Sequence, residues 1–421
     1  MRAVLATCPQ PPPLAAPAPD RPRYAVDVVV TRPFREITGN VRVTFTPDLP
    51  TDHLVFRLWP NGPAQRDAGE HLDAGPVKED GRELHVLRPN PTTLQVELGR
   101  MLAPGSHVTV QLPWRLTLGR SHIDRNARFR GGLRLGTFFP LLSWDPRRGW
   151  LTDPASRLYA ETAATPAADF DLRVRAPAGL RVLATGDNAG PRHFRAHAVR
   201  DLAVAVGPFR VESARVGRVT VRVAAPAGNR GRHAVVSIAT HALRALSARF
   251  GAYPWRSYTL VLPPDLPPSG IEYPMLTYIG SSRYARLIVD HETAHQWFYS
   301  LVGNDQARDP WLDETLATWS QTRLGSREPP PNGRVPKSVQ RHVGAPVSYW
   351  EARGGWYYFG VYGEGVSALR SLGDAAAVDC ALRHYVALRA YSIAHPGDLL
   401  DELNRFIPGA ERHLRAWGIH R

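Results

Sequence analysis

The segment His291-Glu292-Thr293-Ala294-His295 places two imidazoles four positions apart with a carboxylate between them. On an α-helix, residues i and i+4 share a face, so both rings can reach one ion. Zinc takes such nitrogens at about 2.0–2.1 Å. Glu292 adjoins the same face, near enough to act on water at the ion and poorly placed to ligate it. With 16 His and 15 Glu in 421 residues, an H-E-x-x-H pattern arises by chance about 0.02 times per chain. Glu314 stands 19 positions after His295. Requiring a Glu there lowers the chance figure to about 0.0008. His291, His295 and Glu314 together leave a fourth zinc position open, which is the catalytic arrangement and not the closed structural one. An amphipathic helix with surface histidines would need none of these coincidences.

These residues require a particular set of elements to position them. The spacing predicts helices over 284–302 and 310–324, joined by a turn through Asn304–Arg308, with Gly303 ending the first. Asp309-Pro310 reads as the start of the second, an acceptor at N-cap and a preset φ at N1. Such an antiparallel pair carries Glu314 back to the two histidines. An earlier helix is expected at 232–250, where Val235, Val236, Ile238, Ala239, Ala242, Leu243 and Leu246 recur at helical spacing before Gly251. A strand follows at 258–262. Residues 325–345 contain Pro329-Pro330-Pro331-Asn332-Gly333 and read as a loop. Further helices are expected at 362–372, 374–390 and 397–407. From Tyr24 to about Phe209, short alternating runs such as Val26-Val28-Val30 and Val41-Val43-Phe45 predict a β-rich domain.

Composition narrows the function classes. The hydrophobic fraction is 43% and the charged fraction 21%, which excludes wholesale disorder. No apolar run reaches the length of a membrane span. Cys8 and Cys380 are too few for a disulfide framework or a four-thiolate zinc site. The formal charge is +14, the first sign one checks for nucleic-acid binding. However, all basic residues but Lys78 and Lys337 are arginines, and no run of five basic residues occurs. The pattern reads as a scattered surface and not a nucleic-acid patch. Within 286–320 two arginines face six carboxylates, so the presumed cleft is acidic and suits a cationic amine. Residues 1–23 read as a disordered or extended proline-rich leader, too short in its apolar stretch for a signal peptide. Leu5-Ala6-Thr7-Cys8 faintly matches a lipoprotein cleavage site. A cytoplasmic compartment is favoured, with an exported or envelope-associated one the alternative if the N-terminus is a truncated leader.

The motif and its flanks resemble the M1 family of zinc metallo-aminopeptidases. His291-Glu292-x-x-His295 followed by Glu314 matches the family's zinc motif, and His295-Gln296-Trp297-Phe298 and Trp311-Leu312-Asp313-Glu314 match its flanks. Gly270-Ile271-Glu272-Tyr273-Pro274 is similar to the exopeptidase signature, usually G-x-M-E-N. Val361-Tyr362-Gly363-Glu364-Gly365 resembles V-Y-x-K-G. The likeness extends upstream through Phe139-Pro140, Gly149-Trp150 and Ala184-Thr185-Gly186, covering about 24–407.

The resemblance implies an α+β architecture: a saddle-like β-rich domain at 24–210, then a thermolysin-like, mainly helical α/β catalytic domain at 211–421. It implies one Zn²⁺ per chain on His291, His295 and Glu314, with Glu292 as general base and proton shuttle. Tyr362 would donate to the developing oxyanion, and Glu272 would bind the free α-amine of a peptide. The backbone of Gly270 and Ile271 would line the channel as an exposed edge strand. Without the resemblance, Tyr362 reads as a packed aromatic and Glu272 as an exposed loop carboxylate. Several positions depart from the family: Ile271 for Met, Tyr273 for Asn, Asp313 and Thr315 for Asn and Gly, and Glu364 for Lys. Asp290 reads equally as a partner behind the first ligand or as a solvated acid. The long C-terminal helical domain of many members has no counterpart before Arg421. The expected partners are peptides with a free N-terminus, with no nucleic acid and no integral membrane; the oligomeric state is open. Alternatives are a zinc endopeptidase, or a non-catalytic peptide- or nucleic-acid-binding protein with structural zinc. The second amine anchor usually supplied by the β domain is unassigned, Glu161 being one of few acidic residues nearby.

Overall fold

The computed structural model describes residues 8–120, 125–158, 164–229, 231–280, 285–326 and 335–421. Glu161 and the proline run 329–331 lie outside them, as do Leu5 to Thr7. The alternation read at Val26, Val28 and Val30 builds strand Arg23–Val30, which turns those side chains inwards. It pairs antiparallel with Glu36–Phe45, Val26 facing Val41, and parallel with Ala168–Arg175. These three strands lie within a nine-stranded sheet. Two four-stranded sheets accompany it. One runs in the order Ala127–Phe129, Gly132–Gly136, Ala203–Gly207, Arg181–Ala184; the other is built on Thr51–Arg57 and Thr93–Leu102.

A five-stranded sheet then begins the part that carries the site. Its order is Phe209–Val216, Val219–Pro226, Ser257–Val261, Leu276–Ile279 and, at the edge, Gly270–Tyr273. The central neighbours run parallel, and the edge strand is antiparallel to its partner. Nine α-helices occur among the described residues: α1 Pro63–Asp67, α2 Arg232–Phe250, α3 Ala285–Ala294, α4 Trp311–Arg323, α5 Val347–Glu351, α6 Gly365–Arg370, α7 Ala375–Arg389, α8 Pro396–Phe406 and α9 Ala410–Leu414. α2 buries Val235, Ala239, Ala242, Leu243 and Leu246, and Gly251 ends it at φ 111°. It packs against α3, which in turn packs against α4. Asp379 of α7 accepts from Trp319 Nε1 at 2.9 Å and Arg323 Nε at 3.0 Å and pairs with Arg249, tying α2, α4 and α7 together. No helix of the described chain is long and apolar enough to cross a membrane.

Three expectations are corrected. α3 ends at Ala294, and Gly303 lies in a two-residue strand paired with Ile393, not at a helix end. The helical ladder is diverted after Phe298: Tyr299 N donates to Val302 O at 2.9 Å, Tyr299 adopts φ 121°, and Arg200 binds the carbonyls of Tyr299 and Leu301. Asp309 does not cap α4 through its side chain; Pro310 holds the cap position. The predicted helix at 362–372 begins earlier, as a π-helix over Tyr358–Glu364 that passes into α6.

Residues 9–18 carry no helix or strand, as their prolines favour, and a turn at Pro19-Asp20 leads into the first strand. Ala15 N donates to Ala387 O at 2.8 Å, and Arg21 grips Asp169 with two hydrogen bonds of 2.8 Å. Cys8 and Cys380 are joined in a disulfide, a pairing that the sequence reading did not foresee.

Candidate active site

α3 and α4 converge as the motif requires. His291 Nε2 and His295 Nε2 lie 3.1 Å apart, and Glu314 Oε2 is 3.3 and 3.5 Å from them. Ligand atoms held around a tetrahedral zinc ion at about 2.0–2.1 Å stand roughly 3.3 Å from one another. Two imidazole nitrogens and a carboxylate oxygen are donors that zinc accepts, so the trio fits that ion.

The far side of each ring fixes its tautomer. His291 Nδ1 meets Gln321 Oε1 at 2.9 Å. His295 Nδ1 faces Phe298 O at 3.1 Å and Asp313 Oδ1 at 2.6 Å. These are acceptors, so each Nδ1 carries the proton and each Nε2 presents a lone pair to the shared point. Gln306 Nε2 in turn donates to Asp313 Oδ2 at 2.7 Å. Burial pushes the Glu314 carboxyl up, but the neighbouring His291 and His295 more than reverse this and hold it well below the usual carboxylate range. Gln321 escaped the sequence reading, although it stands seven positions after Glu314 and so on the same helix face. We expect Gln321→Leu to weaken zinc binding about 10- to 100-fold by freeing the His291 ring. Competition with a chromogenic chelator measures this directly. Asp290 is neither a support for His291 nor solvated: it is fully buried and accepts from Ser326 Oγ at 2.5 Å.

The edge strand places the remaining groups. Glu272 is 8% exposed, not a free loop carboxylate. Glu272, Glu292 and His295 each offer a ligand atom within 4.8 Å of the others. Gly270 is required here, because a Cβ at that position would stand 2.2 Å from the Glu292 carboxylate. The strand and the Glu292 side chain therefore lie in close contact. Gln296, directly after His295, braces the hairpin: it accepts from Met275 N at 2.9 Å and donates to Tyr273 O at 3.0 Å. Ile271 is buried beside Glu272 on this edge strand.

Tyr362 arrives on the π-helix and stacks on His291, with centroids 5.6 Å apart and planes at 14°. Burial and the nearby Glu314 hold its phenol well above its ordinary value, so it keeps its proton. Thr315 Oγ1 donates to Val361 O at 2.7 Å, and a Cβ on Gly365 would stand 2.1 Å from Thr315 Oγ1. The Thr315 departure thus clamps α4 to the turn bearing Tyr362. The Glu364 departure is buried and accepts from Arg341 N at 2.6 Å.

No protein-family model matches the chain. It is 41% identical to aminopeptidase RNPEPL1 of Mus musculus over 88 residues, 20% of this chain and 12% of that protein. It is 36% identical to aminopeptidase B of Rattus norvegicus over 84 residues, 18% of this chain and 13% of that protein. It is 32% identical to leukotriene A-4 hydrolase of Xenopus laevis over 83 residues, 18% of this chain and 14% of that protein. The matches span only about an eighth of the length of these relatives. Among solved structures, the M1 zinc metallopeptidase of Deinococcus radiodurans is similar over 96% of this chain and 95% of its own, with a TM-score of 0.68 at 21% identity. A mutant of that metallopeptidase bound to the substrate Tyr-Ser-Ala is similar over the same shares of both chains, with a TM-score of 0.65 at 21% identity. The fold defined by these strands and helices is that of the M1 zinc metallopeptidases.

Proposed function

We propose that this chain is a zinc-dependent aminopeptidase acting on peptides with a free N-terminus, with one Zn²⁺ held by His291, His295 and Glu314. The observation that carries this reading is the convergence of those three ligand atoms beside Glu292 and Glu272, the latter on the terminal strand of its sheet. The aminopeptidases among its sequence relatives support it. We assign residues 24–210 to a β-rich domain and 211–421 to the catalytic domain.

Zinc, when bound, would act as a Lewis acid and lower the pKa of water to about 7. Glu292 takes the proton of the attacking water as its oxygen bonds to the amide carbon. It then delivers that proton to the departing nitrogen as the carbon–nitrogen bond breaks. Tyr362 donates a hydrogen bond to the carbonyl oxygen as charge builds there. Glu272 pairs with the substrate ammonium and sets the first peptide bond over the site. Backbone groups of Gly270 and Ile271 hold the peptide by strand addition to the free edge.

The Glu272 role separates this reading from an endopeptidase. We expect free-amine peptides to be cleaved and their N-acetylated forms spared. A Glu272→Gln variant should lose about 10- to 100-fold in kcat/KM, the value of a charge-assisted hydrogen bond. Equal or faster cleavage of the acetylated peptide would show an endopeptidase. Salt-sensitive nucleic-acid affinity without hydrolysis would show a binding protein.

A further inference from the structure

We propose that Cys8, Cys380 and His384 form a second, redox-gated metal site. In the disulfide form the two sulfurs are spent on each other; once reduced, they and the imidazole would take Zn²⁺. The three residues sit far along the chain from the His291 cluster, at the point where the leader is tied to α7. Their ligand atoms lie within 4.8 Å of one another.

Three observations point to an ion. Cys380 and His384 are four positions apart on α7 and therefore share a face, the spacing that lets two side chains ligate together. Cys8 approaches from the leader, with Cα atoms 5.6 Å apart across the disulfide. His384 is 1% exposed, and its Nε2 stands 3.1 Å from Pro9 O. That carbonyl can only accept, so Nε2 carries the proton and Nδ1 presents a lone pair. Nδ1 is buried and has no hydrogen-bond partner. Two thiolates and an imidazole are donors that zinc favours.

The chemistry balances through thiol–disulfide exchange. A dithiol reductant supplies two electrons and becomes a disulfide, the Cys8–Cys380 bond breaks, and two protons pass to the two Sγ atoms. Zinc binding then releases those protons, because thiolate is the ligand form. The leader is held on α7 in both states, by a covalent bond in one and by an ion in the other.

Cobalt(II) tests the proposal, since only sulfur ligation gives a near-ultraviolet thiolate-to-cobalt band and the His291–His295–Glu314 trio offers nitrogen and oxygen alone. The full chain is stripped of metal and divided. One half is reduced with a phosphine, which takes the oxygen of water and becomes its oxide. Thiol titration then counts free thiols, and both halves are titrated with Co²⁺. The expected result is one cobalt and no band for the oxidised chain, and two thiols, two cobalts and the band for the reduced chain. Cys380→Ser should abolish the band. His384→Ala, which keeps both thiols, should weaken the band-forming site at least tenfold. His384→Gln replaces it if the alanine variant loses the first cobalt. Absence of the band in the reduced chain, resistance of the disulfide to reduction in the folded chain, or an unchanged titration in the His384 variant would each overturn the proposal.

Discussion

Glu292→Gln should leave the metal in place and lower turnover by at least about 10³-fold, within the range that removal of a positioned general base produces. The geometry separates the two effects. The Glu292 carboxylate is not among the three groups that share the metal point, while His291 keeps its support from Gln321 and His295 its supports from Asp313 and the turn at Phe298. Glutamine preserves the shape that Gly270 accommodates but cannot accept the proton of water. Zinc content by elemental analysis and kcat on a peptide substrate check both halves. Retained zinc with a large loss in kcat is the expected pair; unchanged kcat would remove Glu292 from the reaction.

Arg200→Met should destabilise the chain by about 2–5 kcal/mol, because buried carbonyls left without their donor cost about 1–3 kcal/mol each. Arg200 is 2% exposed, and its guanidinium donates to Tyr299 O at 2.9 Å, Thr165 O at 3.0 Å, Leu301 O at 3.4 Å and Ser392 O at 2.5 Å. Leu301 and Ser392 keep backbone donors from Tyr391 and Gly303, so the loss falls mainly on Tyr299 and Thr165. Burial lowers its pKa to about 10, which leaves it charged at neutral pH. Gly303 makes room for it: a Cβ there would lie 2.2 Å from the guanidinium carbon. The turn it pins follows directly on His295, so zinc affinity should fall with stability. A fall in melting temperature of about 2–6 °C is expected. A change within about 0.5 kcal/mol would show that water replaces the guanidinium at no cost.

The convergence of His291, His295 and Glu314 was legible because its information is local. Two histidines one turn apart and a glutamate on the next helix announce themselves by spacing. Glu272 and Tyr362 reach the same point from an edge strand and a π-helix, and no periodicity links them to His291; only the family resemblance singled them out. The overrun of α3 has a similar cause. Trp297, Phe298, Leu301 and Val302 continue an apolar pattern and are all buried, yet a guanidinium about a hundred positions earlier holds the carbonyls of the turn. Asp309 resembled a cap in its local sequence, but burial and the neighbouring Asp305 push its carboxyl up to about 6, and its side chain makes no cap bond. The Cys8–Cys380 pair is separated by 372 positions, beyond any local signal. The alternating strands, α2 and its glycine stop were read closely because short-range periodicity and one turn residue specify them.

Product order on a free-amine tripeptide tests the central claim most directly. The zinc-replete chain should release the N-terminal amino acid first, then the next residue from the remaining dipeptide, and Glu292→Gln should release neither at a comparable rate. Initial release of the C-terminal amino acid together with an N-terminal dipeptide, or equal rates in the wild-type and Glu292→Gln chains, would contradict the assignment of this site as an aminopeptidase.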